Sequence, residues 1–299
     1  MAVEPPRSLM SRRHLGLLGL GVVAVSFSAI FIRLADAPAL SVAFYRNAIA
    51  SAVLVPLAFA RHRDEVRSLS RAQWVAALCS GALLALHFIA WIPSLSYISV
   101  GASTVLVTTQ PVWVALLGRF LGERVAGLAG LGIALSMAGA VVIFGSDLGS
   151  SNLRGDALAL AGAVFAAGYY LAGRSLRRRM SLLPYVAICY TTCAVILAAA
   201  VSLGGQPFAG FEAKVWLLFS LMALGPHILG HTVFNYLLAD VDATVVATAI
   251  TAEPIGATLL ALAFFGETPP WTVLAGGVLI LGGIAVTVRA QTVPVPPVE

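Results

Sequence analysis

Ten stretches almost free of charge follow one another along the chain, at 15–32, 41–60, 73–92, 100–120, 127–145, 156–172, 183–203, 215–238, 243–265 and 271–288. Each approaches the length of a helix that crosses the hydrocarbon layer of a bilayer, which takes about 20 apolar residues. Across all 299 residues, 60% are hydrophobic and only 10% are charged. A water-soluble globule with so few charges would expose large contiguous apolar patches, which soluble monomers rarely carry. The chain is therefore read as a protein solvated by lipid. Ten spans use about 200 residues, so no loop between them can hold a soluble domain.

Lipid offers no partner for backbone N–H and C=O groups, so a span must be a helix or a strand of a closed barrel. The ten-residue alternating pattern of barrel strands is missing, and the expected fold is all-α. The net charge of +5 does not point to nucleic acid, because the basic residues sit in short loops between apolar runs. With the N-terminus inside, fourteen of the 18 basic residues fall on one side of the membrane, among them Arg12, Arg63, Arg178 and Arg289. The positive-inside rule then places both termini in the cytoplasm. Arg12 and Arg13 ahead of an apolar run imitate a cleavable signal peptide, but nine more spans follow, so the first is expected to be retained. Cys79, Cys189 and Cys193 lie in apolar segments without a metal or redox spacing. They are expected to pack as small hydrophobes, and neither a metal nor another cofactor is expected.

Self-similarity gives the next constraint. Gln110-Pro111 returns as Glu253-Pro254 at an offset of 143, and Gly122-Glu123, Gly132 and Gly139 return as Gly266-Glu267, Gly276 and Gly283 at 144. Trp74 and Trp216 extend the match to the third and eighth spans. The chain thus divides into five-span halves, 15–145 and 156–288, with tails 1–14 and 289–299. Five is odd, so the second half enters the membrane from the opposite side. Inverted repeats of this kind are typical of secondary transporters, whose substrate site lies near the midplane between the halves. Glu123 then belongs to an inner loop and Glu267 to an outer one. Glycines spaced by seven share a helix face and let helices approach closely. Tight packing is expected there, with a weak homodimer contact as the alternative to a monomer.

The stretches Gln110 to Arg124 (QPVWVALLGRFLGER) and Glu253 to Glu267 (EPIGATLLALAFFGE), each with a proline near mid-span, resemble the EamA-type branch of the drug/metabolite transporter superfamily. YddG-type amino-acid exporters are the nearest likeness. The resemblance implies a central cavity lined mainly by the first, third, fourth, sixth, eighth and ninth spans, working by alternating access. Gln110 stands where the second half has Glu253, so the resemblance does not supply a symmetric pair of acids.

Polar positions inside spans face protein or water, because lipid-facing positions are apolar. At 100° per residue His227, His231 and Asn235 fall on one arc of the eighth span, and Ser80, His87, Trp91 and Ser94 on one arc of the third. Tyr169 and Tyr170 belong to the sixth span, and Glu253 to the ninth beside Thr244, Thr248 and Thr251. Together these residues suggest an aromatic-walled pocket with a few polar fixtures, the usual make-up of a small-molecule site. Each has a plainer alternative. His227 and His231 have a metal pair's i, i+4 spacing, but Ile228, Leu229 and Gly230 between them leave out the glutamate of a zinc protease; interhelical hydrogen bonding would account for them as well. Trp91, Tyr169 and Tyr170 could belong to an interfacial aromatic belt. Glu253 lies near the midplane, where a charge costs about 2.5–3.5 kcal/mol; it is read either as a proton or amine site or as a carboxyl tied to carbonyls freed by Pro254. Arg46 lies near the outer end of its span, able to snorkel, as an anchor or as a gate or carboxylate partner. An intramembrane enzyme is not expected: Ser103 lacks the glycine that follows a nucleophile-elbow serine. Export of amino acids, neutral and aromatic ones among them, is the leading reading, and efflux of drugs or other metabolites the alternative.

Overall fold

The computed structural model describes residues 10–98, 100–122, 127–144, 152–266, 268 and 271–292. Among these residues all regular structure is helical. The order is α1 (Arg12–Ala35), α2 (Ala39–Ser68), α3 (Arg71–Ser94), α4 (Val100–Val107), α5 (Gln110–Phe120), α6 (Gly127–Phe144), α7 (Leu153–Arg177), α8 (Leu182–Leu203), α9 (Ala213–Met222), a π-helical segment (Ala223–Thr232), α10 (Val233–Leu237), α11 (Ala243–Ile250), α12 (Glu253–Phe265) and α13 (Trp271–Thr292). Three spans are interrupted part-way: α4 continues as α5, α9 continues through the π segment into α10, and α11 continues as α12. The protein is an all-α membrane protein of ten helices in two inverted five-helix repeats.

Local chemistry sets the element boundaries. Ser11 caps α1 through the N–H of His14, Ser70 and Gln73 form a reciprocal capping box on α3, and Asn152 accepts from the N–H groups of Arg154 and Gly155 at the start of α7. These bonds satisfy donors that a helix start leaves orphaned. Gly122 and Gly266, which share a place in the two repeats, follow α5 and α12 with φ of +81° and +69°, a conformation glycine adopts without steric cost. The acids after them, Glu123 and Glu267, lie outside the described residues.

Of the three interrupted spans, the fourth and ninth repeat each other in their bonding. Thr108 donates to the Val105 carbonyl at 3.1 Å and Thr251 to the Thr248 carbonyl at 2.6 Å. The N–H of Val112 bonds Thr109 O at 3.0 Å, and that of Ile255 bonds Ala252 O at 3.1 Å. The cause is proline: Pro111 and Pro254 carry no N–H, so the carbonyls of Val107 and Ile250, four residues earlier, lose their helical donor. A third proline, Pro226, sits inside the π segment, where the ladder widens to i→i+5 spacing.

Helix packing carries the same symmetry. The third span packs on the sixth (α3 on α7) as the eighth packs on the first (the π segment on α1), and the second and seventh (α2, α8) pair, as do the fifth and tenth (α6, α13). In this last pair the glycine faces meet in antiparallel fashion: a Cβ on Gly132 would stand 2.6 Å from Gly283 O, and one on Gly139 would stand 2.8 Å from Ile280 N. The small-residue stripes of the two repeats are thus covered by each other within the chain. Outside, large apolar side chains such as Phe59, Val75, Leu203 and Val278 are exposed, while Ser80, Arg46, Asn47, His227 and Asn235 are buried. Apolar outside and polar inside is the arrangement a lipid solvent selects.

Candidate functional site

Six spans enclose a narrow cavity with about 480 Å³ of atom-free space, its open part included. Val25 and Ser28 come from α1, Leu84, His87 and Trp91 from α3, and Ala166, Tyr169 and Tyr170 from α7. His231 and Phe234 come from the eighth span. The two broken spans supply Val107, Thr108 and Gln110 on one side and Ile250 and Glu253 on the other. These are the first, third, fourth, sixth, eighth and ninth spans, the six that the family resemblance implies. The residues whose carbonyls the two prolines set free, Val107 and Ile250, therefore both stand at the cavity. Half-helix ends of this kind place backbone dipoles at a site in the middle of a membrane protein.

The polar fixtures are few and individually placed. His87 directs Nδ1 to the Gly162 carbonyl at 2.9 Å, so that nitrogen carries the proton. Its ring stacks on Trp91 at 5.7 Å. The indole Nε1 of Trp91 is buried with no hydrogen-bond partner, and the same is true of His231 Nδ1. Tyr169 and Tyr170 pack ring to ring at 5.0 Å, and the Tyr169 hydroxyl accepts from Asn235 Nδ2. Glu253 is only 7% exposed and begins α12, about half-way along the 23-residue stretch Ala243–Phe265. Aromatic walls, an unmade indole donor, an unpartnered imidazole nitrogen and one acid make a site suited to a small molecule with an apolar part and a charged part.

Of the residues singled out in the sequence, His87, Trp91, Tyr169, Tyr170, His231 and Glu253 line the cavity, whereas His227, Asn235 and Arg46 do not. His227 and His231 stay neighbours, with ring centroids 5.5 Å apart, although only His231 reaches the cavity. The π ladder changes the rotation per residue, and Thr232 Oγ1 bonds His227 O five residues back at 3.3 Å. His227 packs on Tyr190 at 4.2 Å between ring centroids. Asn235 bridges the Tyr169 and Tyr190 hydroxyls behind the wall. Arg46 does not snorkel: α2 begins at Ala39, two turns earlier, and the side chain is fully buried, its Nη1 donating to Ser28 Oγ at 3.1 Å. Ser80 and Ser94 lie off the cavity, bonded to the Tyr185 hydroxyl at 2.8 Å and the Ser103 hydroxyl at 2.6 Å. Ser28, Thr108 and Gln110 were missed as lining residues. The repeat could have found the latter two as counterparts of Thr251 and Glu253, but nothing in the sequence marks Ser28. Among the described residues no group of three or more His, Cys, Asp or Glu could hold a metal ion.

Charged contacts tie several helix ends together away from the cavity lining. Arg174, one turn beyond Tyr170, donates to the Asp242 carboxylate and to the Val241 carbonyl, tying α7 to the turn before α11. Nearby, His14 Nε2 lies 3.9 Å from Asp240, and Arg13 sits over the Tyr236 ring at 5.7 Å. Glu65 accepts from the Ser181 N–H at 2.7 Å. The ends of α1, α2, α7 and α10 are held together at this one face.

The model of the EamA-like transporter family matches residues 14–145 and 153–289. The chain belongs to the EamA-like transporter family. It is 28% identical over 295 residues to an uncharacterized transporter of Archaeoglobus fulgidus, covering 94% of this chain and 99% of that one. It is also 28% identical over 194 residues to a probable terminal-alkyne amino-acid exporter of Streptantibioticus cattleyicolor, covering 63% and 64%. A crystal structure superposes with a TM-score of 0.77 at 21% identity, over 93% of this chain and 96% of that chain, which shows a shared fold. This EamA-like protein is a multi-pass membrane transporter of a small-molecule substrate.

Proposed function

We propose that this EamA-like transporter exports amino acids, neutral and aromatic ones among them, from the cytoplasm by alternating access around the central cavity. The observation that carries the proposal is an acid, Glu253, buried in an aromatic-walled cavity where two broken helices meet. Trp91, Tyr169 and Tyr170 would stack an apolar side chain, Glu253 with the histidines would hold the charged end, and rocking of one repeat against the other would turn the cavity from one side to the other. The name of the Streptantibioticus relative, a probable terminal-alkyne amino-acid exporter, supports the same class. The test is transport of labelled phenylalanine, leucine and alanine into liposomes, paired with resistance of overexpressing cells to toxic amino-acid analogues. Trp91→Ala and Tyr169→Ala are each expected to weaken transport of aromatic substrates by about tenfold, the equivalent of a lost aromatic contact of ~1.5 kcal/mol. Resistance confined to bulky hydrophobic cations, with no amino acid crossing the reconstituted membrane, would decide for drug efflux.

The proposed orientation puts the halves 15–145 and 156–288 in a bacterial inner membrane with both termini in the cytoplasm. Arg178 and Lys214 are both exposed and are separated by α8. In intact cells an impermeant thiol reagent applied outside is expected to label Lys214→Cys and to spare Arg178→Cys, in a background where Cys79 is replaced by Ala. The opposite labelling would invert the assignment.

A further inference from the structure

Behind the cavity wall sits a cation with most of its hydrogen-bonding capacity unused. Arg46 is fully buried, its guanidinium lies 4.6 Å over the Phe88 ring, and neither Nε nor Nη2 has a hydrogen-bond partner. Unmade donors on a buried charge are among the least favourable arrangements in a folded protein and call for a partner. The one acceptor that Arg46 does meet, Ser28 Oγ, belongs to a residue that lines the cavity. The guanidinium is therefore one hydroxyl away from the space where a substrate would sit. The neighbours add no negative charge: both ring nitrogens of His227 and Nδ1 of His231 are also without partners, and both rings pack against Phe88.

An acid, Glu253, lines the cavity at the start of α12, across the break in the ninth span from Thr251. The two charges interact through space, yet they form no direct ion pair. Beside Glu253 is Ile250, whose carbonyl has lost its helical donor to Pro254. The cavity is thus lined by an acid and by the residue whose carbonyl Pro254 frees, while behind Ser28 in its wall lies a cation with unmade donors.

A cation and an anion held apart inside a protein fit a ligand that carries both charges in the reverse order. We propose that Arg46 anchors the α-carboxylate of the substrate while Glu253, with the Ile250 carbonyl, takes its ammonium group, so that the transported molecule is an α-amino acid recognised at both poles. The inference rests on the amino-acid reading above and narrows it. A guanidinium holds a carboxylate through two parallel N–H···O bonds, a geometry an ammonium cannot reproduce. The proposal requires the Ser28 hydroxyl, the one acceptor Arg46 now meets, to release it to the substrate, while Phe88 stays against the other face of the guanidinium. The side chain of the substrate is left to Trp91, Tyr169 and Tyr170.

The test is competition against labelled phenylalanine in liposomes holding the full-length protein. The competitors are phenylalanine itself, phenylalaninamide, which lacks the carboxylate, and hydrocinnamate, which lacks the amine. In wild type only phenylalanine is expected to compete strongly. In Arg46→Gln the half-saturating concentration of phenylalanine should rise about 10–100-fold, the range for one lost charge-assisted contact. The preference of this variant for acid over amide should vanish, while the preference for phenylalanine over hydrocinnamate, set by Glu253, should persist. A folded Arg46→Gln protein with unchanged half-saturation and unchanged preference for the acid overturns the anchor and leaves amino-acid export standing. If Arg46→Gln fails to reach the membrane, wild type still decides: equal competition by phenylalaninamide and phenylalanine overturns the proposal, and clear discrimination supports it. A wild type that carries no amino acid at all removes the reading on which the proposal depends, an outcome distinct from the other two.

Discussion

Glu253→Gln is expected to insert in normal amount and to move amino acids about 10–100-fold more slowly than wild type, corresponding to the ~1.5–3 kcal/mol that a hydrogen bond to a charged group contributes. The expectation separates two explanations of an acid half-way along a membrane span. A charge there costs about 2.5–3.5 kcal/mol on insertion, so its removal cannot impair insertion by that route. If the carboxyl serves only to tie down carbonyls that Pro254 sets free, glutamine has the same shape and can make the same bonds. Transport would then survive. Initial rates measured at two internal pH values, with membrane content checked by immunoblot, distinguish the cases: wild-type rates and wild-type pH dependence in the variant leave only the structural role.

Gly139→Leu is expected to loosen the whole molecule without touching the cavity. The backbones of α6 and α13 approach so closely that a Cβ on Gly139 would stand 2.8 Å from Ile280 N. The two helices must separate or bend, at about 1–3 kcal/mol for an overpacked site. Gly283→Leu should behave alike, since its Cβ would meet Ser136 N at 2.7 Å. Gly130→Leu on the same helix is the control, because nothing lies within 4 Å of a Cβ there. Thermal ramps on detergent-solubilised protein, read as the fraction remaining monodisperse, should show lower midpoints for the first two variants and little change for the third. Equal midpoints for all three would mean that the seam does not hold the halves together.

The sequence made the spans legible because lipid imposes a simple rule, and α8, for instance, ends at Leu203 as the hydropathy pattern expects. The helix breaks at Gln110 and Glu253 were legible for an equally local reason, since proline removes a donor wherever it stands. The two halves were visible because the same dipeptides recur at a fixed distance. What could not be read were properties that depend on a partner. Arg46 was expected at the interface because sequence distance from a span end says nothing about which way a side chain turns; Ser28 and Phe88 decide that, and they lie on α1 and α3. His227, His231 and Asn235 do lie near one another, with the two imidazoles 5.5 Å apart and both His227 and Asn235 against Tyr190, but a helical arc cannot say which member of it faces the cavity, and only His231 does. Serine 28 carries no mark at all, because one hydroxyl in an apolar helix reads the same whether it lines a cavity or packs against a neighbour.

The joint between α6 and α13 also fixes an order of events during synthesis. α6 ends at Phe144 and its partner does not begin until Trp271, so at 5–20 residues per second the ribosome takes roughly 6–25 s to deliver the other half of the joint. Throughout that interval Gly132, Ser136 and Gly139 have no matching surface to close on, while later pairings such as α2 with α8 are already available. The tenth span is thus the one that finishes the fifth. A chain interrupted anywhere before Trp271 leaves this face of α6 open, and the arrival of α13 is a single late step at which a cell's quality control can tell a closed joint from an open one.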